Sequence, residues 1–186
     1  MTGCQHPIAH HDSADTTIIC FGDSLTAGYG ASVGHDYPAY LRAKLKLRVL
    51  NFGRSGDNAN SALQRLDSDV LMYNPKLVIM TLGANDYMGR TPKEQVLAYM
   101  MHIIERIKSS GAKVVWAEVQ MGALSDPYIK DFRGLAKYEH IVLIPDILGG
   151  ISDQPKYMYD YIHPNDADYK IMAERIYQKV KGLVED

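Results

Sequence analysis

The chain is poor in cysteine and nearly free of net charge, and it has no long hydrophobic run. Two cysteines in 186 residues, Cys4 and Cys20, cannot build a disulfide framework or, on their own, a four-ligand zinc site. Twenty Lys and Arg against 22 Asp and Glu leave a formal charge of −2. That balance lacks the basic footprint of a nucleic-acid binder. No window approaches the roughly eighteen consecutive apolar residues of a membrane-spanning helix. Internal repeats, low-complexity tracts and interior linkers are missing too. What remains is ordinary: 46% hydrophobic and 23% charged residues, enough for one self-sufficient core. Residues 1–15 (MTGCQHPIAHHDSAD) have no helical or strand period and read as a flexible tail. Residues 16–186 read as one domain.

From Thr16 onward two textures alternate. Short β-branched runs lie at Thr17–Phe21, Arg48–Phe52, Leu77–Leu82, Lys113–Val119 and Ile141–Pro145. They lack polar alternation, which predicts strands covered on both faces, as in a parallel sheet. Helical periodicity fills the gaps. In the last segment Tyr169, Met172, Ala173, Ile176, Tyr177, Val180, Leu183 and Val184 recur at helical spacing. Another helix opens at Thr91-Pro92-Lys93-Glu94, where the spacing predicts a capping box with proline at the first helical position. Gly111 is its expected C-terminal stop. Shorter helices are expected near Tyr37–Leu45, Ala59–Asp67 and Tyr128–Tyr138. The alternation predicts an α/β fold, an open parallel sheet with helices on both faces.

Such sheets bind ligands beyond the carboxyl ends of their strands. Four polar segments fall there: Gly22-Asp23-Ser24-Leu25, Ser55-Gly56-Asp57-Asn58, Gly83-Ala84-Asn85-Asp86 and Asp160-Tyr161-Ile162-His163-Pro164. Taken singly, each has a bland reading as a turn or a helix cap. Four together on one edge match an acyl-transfer site. Ser24 sits at a strand-to-helix turn, and its hydroxyl needs a base, for which His163 is the candidate. Asp160 can orient the imidazole and stabilise its cation. The amides of Ser24 and Gly56, with the Asn85 side chain, can receive an oxyanion. Glycine at 56 would let backbone approach substrate.

These motifs resemble those of the SGNH hydrolases, the GDSL esterase/lipase family, over roughly residues 17 to 184. The small arylesterase, acyl thioesterase and lysophospholipase branch is the most similar. The resemblance implies a flavodoxin-like three-layer α/β/α sandwich with strand order 2-1-3-4-5. It also implies Ser24 as nucleophile, Asp160 and His163 as its partners, and Ser24, Gly56 and Asn85 as oxyanion donors, with no cofactor and no metal. Asn58 stands where threonine is common. Tyr161 stands where glycine is common and can narrow the pocket. An ordinary α/β-hydrolase is disfavoured, because Gly22-x-Ser24-x-Thr26 lacks the second glycine of the nucleophile elbow.

The expected function is hydrolysis of aryl, acyl or lysophospholipid esters or thioesters through an acyl-enzyme, with a small ester or acyl compound as partner. An O-acetyl esterase acting on carbohydrate is the alternative enzyme. A flavodoxin-like binding module is the non-enzymatic one, disfavoured by the lack of phosphate-loop spacing. Met121, Leu124, Tyr128, Met158, Tyr159 and Tyr161 are the expected substrate wall. Thr2-Gly3-Cys4 resembles the end of a lipoprotein cleavage site, which implies a lipid anchor at Cys4 and a bacterial periplasm or envelope location. A cytoplasmic protein with an incidental cysteine is the alternative. Cys20 reads as a small buried hydrophobe within a strand.

Overall fold

Apolar runs without polar alternation become five parallel strands in this protein, whose structure is a computed structural model describing residues 16–121, 128–151, 156 and 158–184. The tail 1–15, with Cys4, and the expected wall residue Leu124 lie outside the described residues. Strands β1 (Thr17–Gly22), β2 (Arg48–Gly53), β3 (Leu77–Thr81), β4 (Lys113–Ala117) and β5 (Val142–Ile144) form one sheet of order 2-1-3-4-5. Register is continuous across its centre: Cys20 pairs with Asn51 on one side and with Ile79 on the other.

Period-two alternation sends successive side chains to opposite faces. Ile18, Cys20, Ile79 and Val115 join one apolar layer, closed by α1 (Ser24–Ala27), α2 (Tyr37–Leu45) and α8 (Asp166–Val180). Ile19, Phe21, Met80 and Trp116 face the other layer. There they meet α3 (Ala59–Gln64), α4 (Leu66–Asp69), α6 (Lys93–Ser109) and α7 (Ile129–Tyr138). Helix α5 (Ala84–Met88) follows β3 directly. Cys20 is fully buried, and burial pushes its thiol far above the ordinary range. Among the described residues no helix is long and apolar enough to cross a membrane.

Three local expectations need correction. Only the central strands are covered on both faces; β2 and β5 are edges and stay partly exposed. The segment expected as one helix over Ala59–Asp67 breaks at Arg65, which leaves helical geometry (φ −105, ψ 6) as its guanidinium turns inward. The capping box at Thr91 does not form. Helix α6 starts at Lys93 with Pro92 as its N-cap, without a side-chain cap. A proline in that place has no N–H to complete the reciprocal bond. Thr91 is instead held by its backbone, donating to the Asp86 carbonyl at 3.0 Å and accepting from the Tyr128 hydroxyl. Gly111, just past the end of α6, does take the left-handed conformation (φ +88).

One buried carboxyl group works against the fold. Asp168, in the first turn of α8, has no exposed area, and neither carboxylate oxygen has a hydrogen-bond partner among the described residues. Burial raises its carboxyl to about 7, partly offset by the charge of Arg175. Between its unfolded value of about 4 and that of about 7, the folded chain keeps a proton the unfolded chain releases. Stability therefore falls as pH rises through this window. Asp168→Asn removes the titration, so thermal unfolding measured from pH 4 to pH 8 should show a shallower loss of Tm. The gap from wild type should reach on the order of a few kcal/mol at the alkaline end. Parallel curves would refute this account of Asp168.

Candidate active site

The chain leaves β1 for β2 on one side and returns to β3 on the other. The loops after β1 and β3 therefore diverge and open a crevice, as at the reversal point of other open α/β sheets. Asp23 caps the first turn there, its Oδ1 accepting from the Leu25 amide at 3.0 Å. Ser24 is the first helical residue of α1, half-buried at the floor of the crevice.

The last loop reaches the same place from the far end of the chain. It is pinched by a bridge between Met158 and Pro164, with the Tyr159 amide donating to the His163 carbonyl at 2.8 Å. Within it Asp160 Oδ1 accepts from the amides of Ile162 (2.8 Å) and His163 (2.7 Å). The imidazole lies on the same carboxylate, Nδ1 being 3.0 Å from Oδ1 and 2.8 Å from Oδ2. Its other nitrogen, Nε2, is 3.0 Å from Ser24 Oγ. With the Nδ1 proton directed to Asp160, Nε2 is left to accept from the serine hydroxyl. The imidazole contact, with the two amides, holds the Asp160 carboxyl down at about 2. Asp160 is thus an anion throughout any ordinary working range.

Two more groups border the serine. Gly56 lies in a turn closed by the Asp57 amide on the Arg54 carbonyl, at 3.0 Å. The turn needs a left-handed residue (φ +82), and a Cβ there would meet open space. The backbone conformation therefore demands glycine here, and the open space beside it leaves room for a ligand to come close. Asn85, in α5, donates one amide hydrogen to the Asp57 carbonyl at 2.8 Å. The same amide nitrogen makes a long second contact, 3.4 Å to Asp23 Oδ2. Burial, and the nearby charges of Asp57 and Asp86, push Asp23 up to about 7. Asp86 is fully buried, and its Oδ2 holds the Ala59 amide at 2.9 Å, fastening the start of α3. Asn58, in place of the more usual threonine, makes a reciprocal capping box with Ser61.

Ser24, Gly56, Asn85 and His163 line a cavity of about 220 Å³ whose other wall is apolar: Met88, Val119, Met121, Leu148 and Ile162. Of the expected substrate wall, Met121 is in place. Tyr128 instead lines a neighbouring recess with Tyr87, Met88 and Arg90, shared with the cavity only through Met88. Met158 pairs with Pro164 and Tyr159 packs edge-on against Tyr29, neither of them on the cavity lining. Tyr161 is fully exposed and does not narrow the pocket.

The residue that sequence reasoning missed is Arg65. Its guanidinium is 6% exposed and donates to Asp57 Oδ2 (2.7 Å), Asp69 Oδ2 (2.9 Å) and the Gly22 carbonyl (3.0 Å). It also stacks on Phe21, 4.2 Å from the ring centroid. One side chain thus ties the turn before Ser24 to the turn after Gly56. An arginine between two short helices looks like a solvated charge in sequence, and only the run of acids at Asp57, Asp67 and Asp69 hints otherwise.

Sheet topology, crevice and this line of side chains define the class: a hydrolase of the parallel α/β type. The chain belongs to the GDSL-like lipase/acylhydrolase family, whose model matches residues 20–171. It is similar to the arylesterase of Vibrio mimicus, 29% identical over 90% of this chain and 89% of that one. It is also similar to the thioesterase 1/protease 1/lysophospholipase L1 of Escherichia coli K12, 27% identical over 92% and 86% of the two chains. A crystal structure of TesA superposes with a TM-score of 0.85 at 26% identity, covering 90% of this chain and 99% of that one. The protein is an ester-hydrolysing enzyme.

Arg65 offers a direct test of how the crevice is held. Removing one partner of a buried ion pair strands the other, at a typical cost of about 3–5 kcal/mol. Arg65→Met should therefore lower Tm sharply, and adding Asp57→Asn to it should recover part of the loss. A double variant no better than the single one would mean that Asp57 is not what Arg65 neutralises.

Proposed function

We propose that Ser24 is the nucleophile of a carboxylic ester and thioester hydrolase, with His163 as base and Asp160 as the group that orients it. The observation that carries this reading is the unbroken line from Asp160 through His163 to Ser24, at 2.8 and 3.0 Å, ending in the cavity. Nε2 takes the hydroxyl proton as Oγ bonds to the acyl carbon, and the carbonyl pair moves onto oxygen. The Ser24 and Gly56 amides, with the Asn85 N–H that makes only the long 3.4 Å contact to Asp23, are the donors for that oxyanion. Collapse expels the alcohol or thiol, which leaves with the proton from Nε2. A water then repeats the sequence on the acyl-serine and frees the acid.

The cavity argues for a compact acyl or aryl group. An apolar space of about 150 Å³ already admits a benzene ring, and this one is about 220 Å³. Aryl and short acyl esters, thioesters among them, are the proposed substrates. Arylesterase and thioesterase both occur in the names of relatives, alongside lysophospholipase.

Kinetics of single variants test the assignment. Ser24→Ala and His163→Ala should each lose on the order of 10⁶ in kcat with the fold intact, because the pair acts as a unit. Asn85→Ala should lose roughly 10²–10³ in kcat with a smaller change in KM. Near-normal turnover in Ser24→Ala would end the reading, and a change in KM alone would make Asn85 a substrate-binding group.

Asp160 stays ionised down to about pH 2, so its charge stands beside the imidazole throughout the working range. Asp160→Asn removes that charge and the acceptor of the Nδ1 proton, and should cost up to about 10⁴ in kcat. Near-normal turnover in this variant would show that Asp160 does not act on the ring.

A further inference from the structure

Tyr29 packs against the His163 imidazole. Its ring centroid lies 4.5 Å from that of His163, the planes tilted by 52°. The residue is held from several directions. Its amide donates to the Ser24 carbonyl at 3.0 Å, and its carbonyl accepts from the Tyr169 hydroxyl at 2.8 Å. Tyr159 meets the ring edge-on at 5.9 Å. The next residue, Gly30, packs so closely on the last loop that a Cβ would fall 2.7 Å from both Tyr159 Cβ and the Pro164 carbonyl. The turn carrying Ser24 and the loop carrying His163 are thereby locked together, with Tyr29 at the seam.

We infer that Tyr29 is a positioning residue for catalysis, its ring face fixing the His163 imidazole and favouring the cation that the imidazole becomes in each transition state. The inference rests on the proposed role of His163 as base. An aromatic face attracts a cation lying within about 6 Å of its centroid, and the attraction is absent while the imidazole is neutral. The interaction therefore strengthens as the proton leaves Ser24, which makes it a differential effect that raises kcat. No bond to Tyr29 forms or breaks. The groups around the ring that carry or can carry charge are Asp160 on its own loop, Asp23 across the cavity, and the phenols of Tyr29 and Tyr159. Of these, the variants below touch only Tyr29, and Tyr29→Phe separates the loss of its phenol hydroxyl from the loss of its ring face.

The experiment compares Tyr29→Phe, Tyr29→Leu and pentafluorophenylalanine placed at position 29. The last matches Phe in shape but has its ring quadrupole reversed. For each, kcat and KM are measured on an aryl ester, and the titration of His163 is followed by NMR. Tyr29→Phe should behave as wild type. Tyr29→Leu and the fluorinated variant should lose about two- to thirty-fold in kcat with little change in KM. Both the imidazole titration and the acid limb of kcat/KM should move to lower pH in these two. Should Leu disturb folding, the pair of Phe and its fluorinated form still decides. Loss in Tyr29→Phe equal to that in Tyr29→Leu would make the hydroxyl responsible and overturn the inference. So would equal behaviour of the two phenyl rings, or an effect on KM alone. The NMR titration needs no turnover, so it tests Tyr29 even if Ser24 fails as the nucleophile.

Discussion

The chemistry of this protein hangs on one buried cation. The carboxyl ends of β1 and β2 lie side by side in the sheet, Gly22 paired with Gly53, and Arg65 braces the turns that follow them. It holds the Gly22 carbonyl with one nitrogen and the Asp57 carboxylate with others, over the face of Phe21. Asp57 in turn offers its carbonyl to Asn85, so the guanidinium also reaches, through the backbone, the donor contributed by the segment after β3. The planar five-donor fork suits this place in a way that a lysine ammonium does not.

Around that cation the protein tolerates unfavourable electrostatics. Asp23, Asp57 and Asp86 are all nearly inaccessible to solvent beneath the crevice, and Asp23 and Asp86 are both pushed upward by burial. Asp23 caps α1, Asp57 fixes the Gly56 turn against Ser61, and Asp86 fastens α3. Carboxylates can bind backbone amides in short turns where no helix or strand can. Concentrating them there sets stability against a rigid crevice, a trade common at functional sites. Asp160 is the opposite case: partly exposed, well bonded and held low.

Much of this architecture is legible from sequence, and the rest fails for identifiable reasons. Unbroken apolar runs announce the central strands, and the helical spacing of Tyr169, Met172, Ala173 and Ile176 announces α8, because burial on both faces and a single apolar stripe leave local marks. Arg65 leaves none, since its role depends on two segments brought together by the sheet. Tyr29 is missed for the same reason: the imidazole it packs against lies 134 positions away in the chain. The substrate wall is the least legible part. Tyr159 and Tyr161 sit in a tight loop next to His163, yet the loop's pinch at Met158 and Pro164 leaves both side chains exposed. Proximity in sequence to a site residue says little about which way a loop side chain points.

The central claim is that the crevice activates Ser24 and no other nucleophile. It is tested most directly by treating the folded protein with an aryl-phosphonate ester and mapping the adduct by peptide mass spectrometry. The account predicts a single adduct on the peptide carrying Ser24, formed at least about a thousandfold more slowly when His163 is replaced by alanine. An adduct on another residue, or labelling of Ser24 at the same rate without the imidazole, would contradict it.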